Sequence, residues 1–122
     1  MAFDWKEYLD LARFLQGKRE VRYSQEAAFR SAVSRAYYAA YCYARNYAHD
    51  QHGFMPSKGP QDHALVREHF RKRGYIDIAN DLDDLRQWRN NCDYDDTIMG
   101  DFNQLVQSAI MNTEDVFAKL KS

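Results

Sequence analysis

The 122 residues predict an all-α fold, a single up-and-down bundle of four to five helices spanning 1–122 as one domain. Three observations carry that prediction. No segment sustains the period-two alternation of a half-buried strand, and neither an Asn-Gly nor an Asp-Gly hairpin turn occurs. Apolar residues recur instead three and four apart along most of the chain, the spacing of an amphipathic helix. The hydrophobic share of 45%, with 15% aromatics, suits a packed core, while only five Gly and two Pro exclude a linker-like or disordered chain.

The first helix starts at Asp4, with Glu7 three residues on in a capping-box arrangement that serves orphan N–H groups. Trp5, Tyr8, Leu9, Ala12 and Leu15 mark its inner face, Gly17 ends it, and Lys18, Arg19 and Arg22 form a basic connector. Ser24 is the expected N-cap of the longest helix, which the periodicity carries to about Ala48. Its stripe of Phe29, Ala32, Val33, Ala36, Tyr37, Ala40 and Ala44 is rich in alanine, so other helices can approach it closely on more than one side. His49 to Pro60, with two Gly and two Pro, reads as the clear loop. A shorter third helix covers about Gln61 to Arg73, with His63, Val66 and Phe70 inward and Gly74 as its C′ residue. The fourth runs from about Tyr75 to Asn91 on Ile78, Ala79, Leu82 and Leu85, in very acidic surroundings. Asp101, with Gln104 following, caps the last helix, whose apolar positions run from Phe102 to Leu120.

Several function classes fall away. The formal charge is −1, so bulk attraction to nucleic acid is not written into the composition. Charge is uneven, though: residues 1–61 hold nine Lys/Arg against six acids, and residues 62–122 hold eight against twelve. No run of about 18 apolar residues is present, and the opening Met-Ala-Phe-Asp-Trp-Lys-Glu does not read as a signal peptide, so a cytoplasmic protein without a membrane span is expected. Cys42 and Cys92 form no Cys-x-x-Cys pair and are expected as free thiols. The four histidines, His49, His52, His63 and His69, lack the repeated Glu-x-x-His of a di-metal bundle, and the Asp cluster from 77 to 101 lacks calcium-loop order. No metal and no cofactor are expected. Phosphate-cradling glycine loops and a Gly-x-Ser-x-Gly elbow are absent from the sequence.

Two segments rise above an anonymous bundle: Ser31-Ala-Val-Ser-Arg-Ala-Tyr-Tyr-Ala-Ala-Tyr-Cys-Tyr-Ala-Arg45 and Leu85-Arg-Gln-Trp-Arg-Asn-Asn-Cys-Asp-Tyr-Asp95. In this order, with His63-Ala-Leu-Val66 and Phe70 between them, they resemble the HEPN family, the higher eukaryotes and prokaryotes nucleotide-binding domain. The resemblance covers essentially the whole chain. It implies a helical bundle that dimerises and, in catalytic members, a metal-independent ribonuclease site at the two-fold axis. That site pairs an Arg and a following polar residue with a His that comes after four to six residues intervening from the Arg. The chemistry is intelligible, since RNA carries its own nucleophile in the 2′-OH. An enzyme then needs a proton acceptor, a proton donor and cations for the pentavalent phosphate.

Here Arg89 followed by Asn90 matches the start of the motif, but the His positions hold Tyr94, Asp95 and Asp96. Arg86 faces Asn91, Cys92 and Asp93 at the same offsets. The cation is kept and the imidazole is not. The candidate catalytic residues are therefore Arg89, Asp93, Tyr94 and His63, and the candidate ligand-binding residues are Arg35, Tyr38, Arg86 and Asn90. Each has a structural alternative. Arg89 can pair with Asp93 one turn on or with Asp84, Arg35 can bond Asp93, and Tyr37 and Tyr38 can be core packing. His63 can be an interior histidine, and Arg67 to Arg73 solvated surface. The resemblance leaves three readings. They are an RNA- or nucleotide-binding protein of a toxin–antitoxin or defence pair without the standard His, a working ribonuclease toxin, and a non-catalytic interaction module for a nucleotidyltransferase-like partner. The partners the resemblance implies are a second copy of the chain and an antitoxin or nucleotidyltransferase-like protein. Arg35, Tyr38, Arg89, Asp93 and Tyr94 are expected to converge in one polar pocket, because both segments carry ionisable groups on otherwise apolar helices.

Overall fold

A computed structural model describes residues 3–17, 25–98 and 100–121. These form five helices and no strand: α1 (Lys6–Gly17), α2 (Gln25–His52), α3 (Asp62–Lys72), α4 (Ile76–Tyr94) and α5 (Phe102–Lys119). Ser24 and the basic residues Lys18, Arg19 and Arg22 lie outside the described residues. Among the described residues, no helix is long and apolar enough to cross a membrane.

α2 is the central element and packs against the other four helices. Ala32, Ala36, Ala40 and Ala44 are wholly buried along it, so neighbouring backbones come close. On α5 the buried Thr113 hydroxyl lies 3.0 Å from the Ala36 carbonyl and 2.9 Å from its own Ala109 carbonyl, which keeps the group satisfied in an apolar interior. Phe70, Ile78, Leu82, Leu85 and Leu120 complete the core. The inner faces predicted for all five helices are buried or half-buried.

Cross-helix contacts fix the directions. Arg35 lies over Tyr8 and Arg45 over Trp5, so α1 runs against α2. Arg89 meets Tyr38 while Arg30 meets Cys92, so α4 also runs against α2. Lys119 reaches Asp77 and Asp115 lies by Asp81, so α5 reverses again. α3 differs: His63 packs on Tyr41 and His69 on His52, so it runs alongside α2 in the same sense. Residues 53–61 make that possible by doubling back along α2.

Two helix ends fall later than the periodicity indicated. α2 continues to His52, four residues past Ala48, and reverses at Gly53, whose φ of +72° suits glycine. His49, Asp50 and Gln51 face solvent and carry no apolar signal, while His52 turns inward to His69, Nδ1 to Nε2 at 2.8 Å. Burial holds both imidazoles below the ordinary histidine value. α4 continues three residues past Asn91 to Tyr94. Gly74 (φ +88°) ends α3 as expected, with Gly74 N–H donating to Arg71 O and Tyr75 N–H to Phe70 O. The Tyr75 and Phe70 rings close that Schellman turn at 5.7 Å. Asp4 accepts from Lys6 N–H and Asp101 from Asn103 N–H, so both expected acidic caps act. Cys42 and Cys92 are free and buried, and burial pushes each thiol up to about 11.

One carboxyl pair makes stability depend on pH. Burial and the neighbouring Asp115 push Asp81 up to about 8, and the hydrogen bond from Asp81 holds Asp115 below the usual carboxylate range. The folded value of Asp81 stands above its unfolded 3.8, so this contribution is complete in acid and is lost as pH rises toward 8. Asp81→Asn keeps a donor for Asp115 at every pH. Its stability relative to the parent is expected to be about 1 kcal/mol greater near pH 9 than near pH 5, after allowing for screening of a partly exposed pair. Urea denaturation at both pH values checks this, and an equal difference at both contradicts it.

Candidate functional site

α4 presents Arg86, Arg89, Asn90 and Asp93 along one face, at helical spacings of three and four, while Leu82, Leu85 and Cys92 face the core. That polar face meets α2 at Tyr38. Arg89 is the hub: its Nη2 donates to the Tyr38 hydroxyl at 2.7 Å and its Nη1 to Asn90 Oδ1 at 3.1 Å. Its Nε lies 2.8 Å from Asp93 Oδ2, an ion contact without hydrogen-bond alignment, so that buried nitrogen makes no hydrogen bond. The guanidinium also sits over the rings of Tyr38 and Tyr94, at 5.2 and 5.7 Å. Tyr94 itself is 72% exposed. A planar cation held on several sides beside an exposed ring is suited to a phosphate or a π-face.

Four of the five residues expected in one pocket therefore meet at Arg89: Tyr38, Asp93, Tyr94 and Arg89 itself. Arg35 is the correction. It does not bond Asp93, which Arg89 occupies; its guanidinium lies 5.0 Å from the Tyr8 ring of α1. It remains a neighbour, lining a hollow of about 520 Å³ together with Tyr38, Asp93 and Ser34. Arg89 pairs with Asp93 and not with Asp84. Arg86 is exposed and has no carboxylate partner among the described residues. Arg67 and Arg71 are not plain solvated surface: both pair with Asp83, tying α3 to α4.

His63 stands on the other side of Tyr38, ring centroids 6.4 Å apart, and stacks on Tyr41 at 4.1 Å. Its Nδ1 is hydrogen-bonded to the Tyr37 hydroxyl. Tyr37 is buried, and burial raises its pKa, so the hydroxyl keeps its proton. Nδ1 is the acceptor for that proton, since no other acceptor bonds Tyr37 among the described residues. This leaves His63 with its proton on Nε2. Burial, followed by Arg89, Arg86 and Arg67, lowers the His63 pKa, so the ring is neutral at pH 7. A neutral Nε2–H is a hydrogen-bond donor and not a base.

Two groups of functional residues were not singled out from sequence. The first is Arg30 on α2, whose guanidinium closes the C-terminal end of α4. Nη1 donates to Cys92 O at 2.8 Å and Asp95 O at 2.7 Å, Nη2 donates to Asp96 O at 3.2 Å, and Nε pairs with Glu26 at 2.9 Å. A signal existed: the last turn of α4 holds no basic residue and no glycine follows it, so its free carbonyls need donors from elsewhere. The second group lines a cleft of about 830 Å³ between the start of α1, α2 and the 53–61 loop. Tyr38 and His63 form the wall nearest Arg89, and Trp5, Tyr41, Arg45 and Lys58 line the rest. The residues come from four separate stretches of chain, so no local spacing could mark them. Among the described residues, no group of three or more His, Cys, Asp or Glu is placed to hold a metal ion. No family model, curated protein or solved structure matches this chain.

Proposed function

We propose that this chain binds RNA or a nucleotide at the face centred on Arg89 and Tyr38, as a HEPN-like domain lacking the standard catalytic histidine. The observation that carries the reading is the position of Tyr38. It is a shared wall of two hollows, one holding Arg35 and the other Arg45 and Lys58, and its hydroxyl takes Arg89. Cations without carboxylate partners among the described residues thus stand on both sides of a polarised aromatic side chain. Phosphate tracks and base-stacking sites are built from these groups. The HEPN resemblance supplies the rest of the proposal: a homodimer, within a toxin–antitoxin or defence pair, whose partner is an antitoxin or nucleotidyltransferase-like protein.

The absence of cleavage follows from proton chemistry. The motif offsets from Arg89 hold Tyr94, Asp95 and Asp96, and none of these supplies the imidazole that the two proton transfers use. A positioned general acid or base contributes about 10²–10⁴-fold, so its loss removes most of the rate. One observation favours the ribonuclease reading instead. His63 places an imidazole, with Nε2–H as donor, beside the Tyr38 ring that Arg89 also meets. Incubation with labelled single-stranded RNA and a chelator tests the two. The expected result is a mobility shift with intact RNA. Cleavage by the parent that vanishes in Arg89→Ala would make the protein a ribonuclease, and neither shift nor cleavage would refute both.

A further inference from the structure

The cleft beside Tyr38 has a one-sided chemistry. Arg45 lies between the rings of Trp5 and Tyr41, at 5.7 and 5.9 Å, and bonds Asn46 Oδ1; it feels the buried Asp62 charge, but no carboxylate among the described residues stands within ion-pair distance of it. Lys58 has no carboxylate partner either. Burial pushes the Tyr41 hydroxyl up to about 12, so it stays a donor, and His63 offers Nε2–H. The one carboxylate in the wall, Asp62, is 3% exposed and already occupied. It accepts from Ser57 N–H at 2.9 Å, Ser57 Oγ–H at 2.6 Å and Lys58 N–H at 2.8 Å. Arg45, Lys58, Tyr41 and His63 thus offer a ligand cations and donors, and Trp5, Met55 and Pro56 supply apolar surface beside them.

The backbone at Lys58 points the same way. Its φ of +66° is left-handed, a conformation that L side chains rarely adopt, and it is the sole non-glycine case among the described residues. The buried Asp62 carboxylate holds the strained peptide in place, which fixes where the Lys58 side chain leaves the chain. The volume of about 830 Å³ suits a small organic ligand and exceeds what a lone anion needs.

We propose that this cleft seats one unpaired nucleotide unit, with its base against Trp5 and Pro56 and its phosphate between Arg45 and Lys58. The proposal rests on the RNA- or nucleotide-binding reading and names the form bound: a base that is not already paired. A duplex keeps its bases stacked and paired inside, so it cannot deliver one to the cleft. The shared chemistry, a base joined to a phosphate, comes from a free mononucleotide or from a single strand passing Tyr38 toward Arg89.

Trp5 reports the test directly in a Trp88→Phe background, where it is the only tryptophan. The probes are AMP, UMP, adenosine, inorganic phosphate, a short single-stranded RNA and its duplex. Mononucleotides and single strands are expected to quench Trp5, with adenosine, phosphate and duplex each at least about tenfold weaker. Arg45→Gln should weaken the mononucleotides about tenfold. Lys58→Gly is the second variant: it removes the ammonium and suits the left-handed backbone, so it should weaken binding several-fold with an unchanged melting temperature or a higher one. The cleft proposal is overturned if mononucleotides and single strands leave Trp5 unchanged and both variants bind RNA like the parent. Loss of RNA in Arg89→Ala under those same conditions would leave the broader reading standing. If single strands quench Trp5 and mononucleotides do not, the occupant is a strand; quenching by mononucleotides alone makes it a free nucleotide.

Discussion

Arg30→Ala is expected to lower the unfolding free energy by about 3 kcal/mol. The guanidinium is 19% exposed and donates to three main-chain carbonyls at the end of α4. Hydrogen bonds from a charged group contribute about 1.5–3 kcal/mol each, and removing the donor leaves acceptors in a partly dry site. The bonds share one side chain, so the total falls well below their sum. Arg30→Lys should recover less than half, because an ammonium on a flexible stem cannot span carbonyls from residues 92, 95 and 96 together. Glu26→Gln is the control. It removes an exposed i, i+4 pair and should cost no more than about 0.5 kcal/mol. Urea denaturation of the variants checks this, and an Arg30→Ala midpoint equal to the parent's contradicts it. Hydrogen exchange should quicken first at Asp93 to Ile98, where the clamp ends α4 and leads the chain toward α5.

Arg89→Ala is expected to behave in the opposite way: a small loss of stability with a loss of RNA affinity of at least about tenfold. The Asp93 carboxylate that it would leave behind is 28% exposed, so water reaches it and limits the cost of the lost ion pair. Binding suffers more because Arg89 bonds Tyr38 and lies over Tyr94, so its loss removes a phosphate cation and frees two aromatic side chains. Arg89→Lys should recover only part of the affinity, since the planar contact with Tyr38 and Tyr94 is lost. Equal melting temperatures and unequal affinities would separate this residue from Arg30.

The fold was legible because each helix carries its own apolar stripe. Ala32, Ala36, Ala40 and Ala44 announced α2 as the central helix, and Gly74 and Asp101 marked ends that the structure keeps. What failed was whatever polar residues decide. The last turn of α2 has no apolar period, and its inward His52 is chosen by His69, which is 17 residues away. In the candidate site, the HEPN resemblance singled out Tyr38, Arg89, Asn90, Asp93 and Tyr94, and one helix holds the last four together. Arg35 was misassigned for a reason of pairing: its expected acid was already held by Arg89, and an aromatic ring on α1 took its guanidinium. Arg30 and the cleft around Arg45 and Lys58 depend on chain crossings that local spacing does not encode.

The central claim, that Arg89 and its aromatic neighbours form an RNA-binding face, is tested most directly by the affinity of a short labelled single-stranded RNA. Fluorescence anisotropy at several salt concentrations gives that affinity for the parent and for Arg89→Ala. The account predicts that the parent binds, that affinity falls with salt, and that Arg89→Ala binds at least about tenfold more weakly with a salt slope shallower by about one. Equal affinity and equal slope in the two proteins would contradict it.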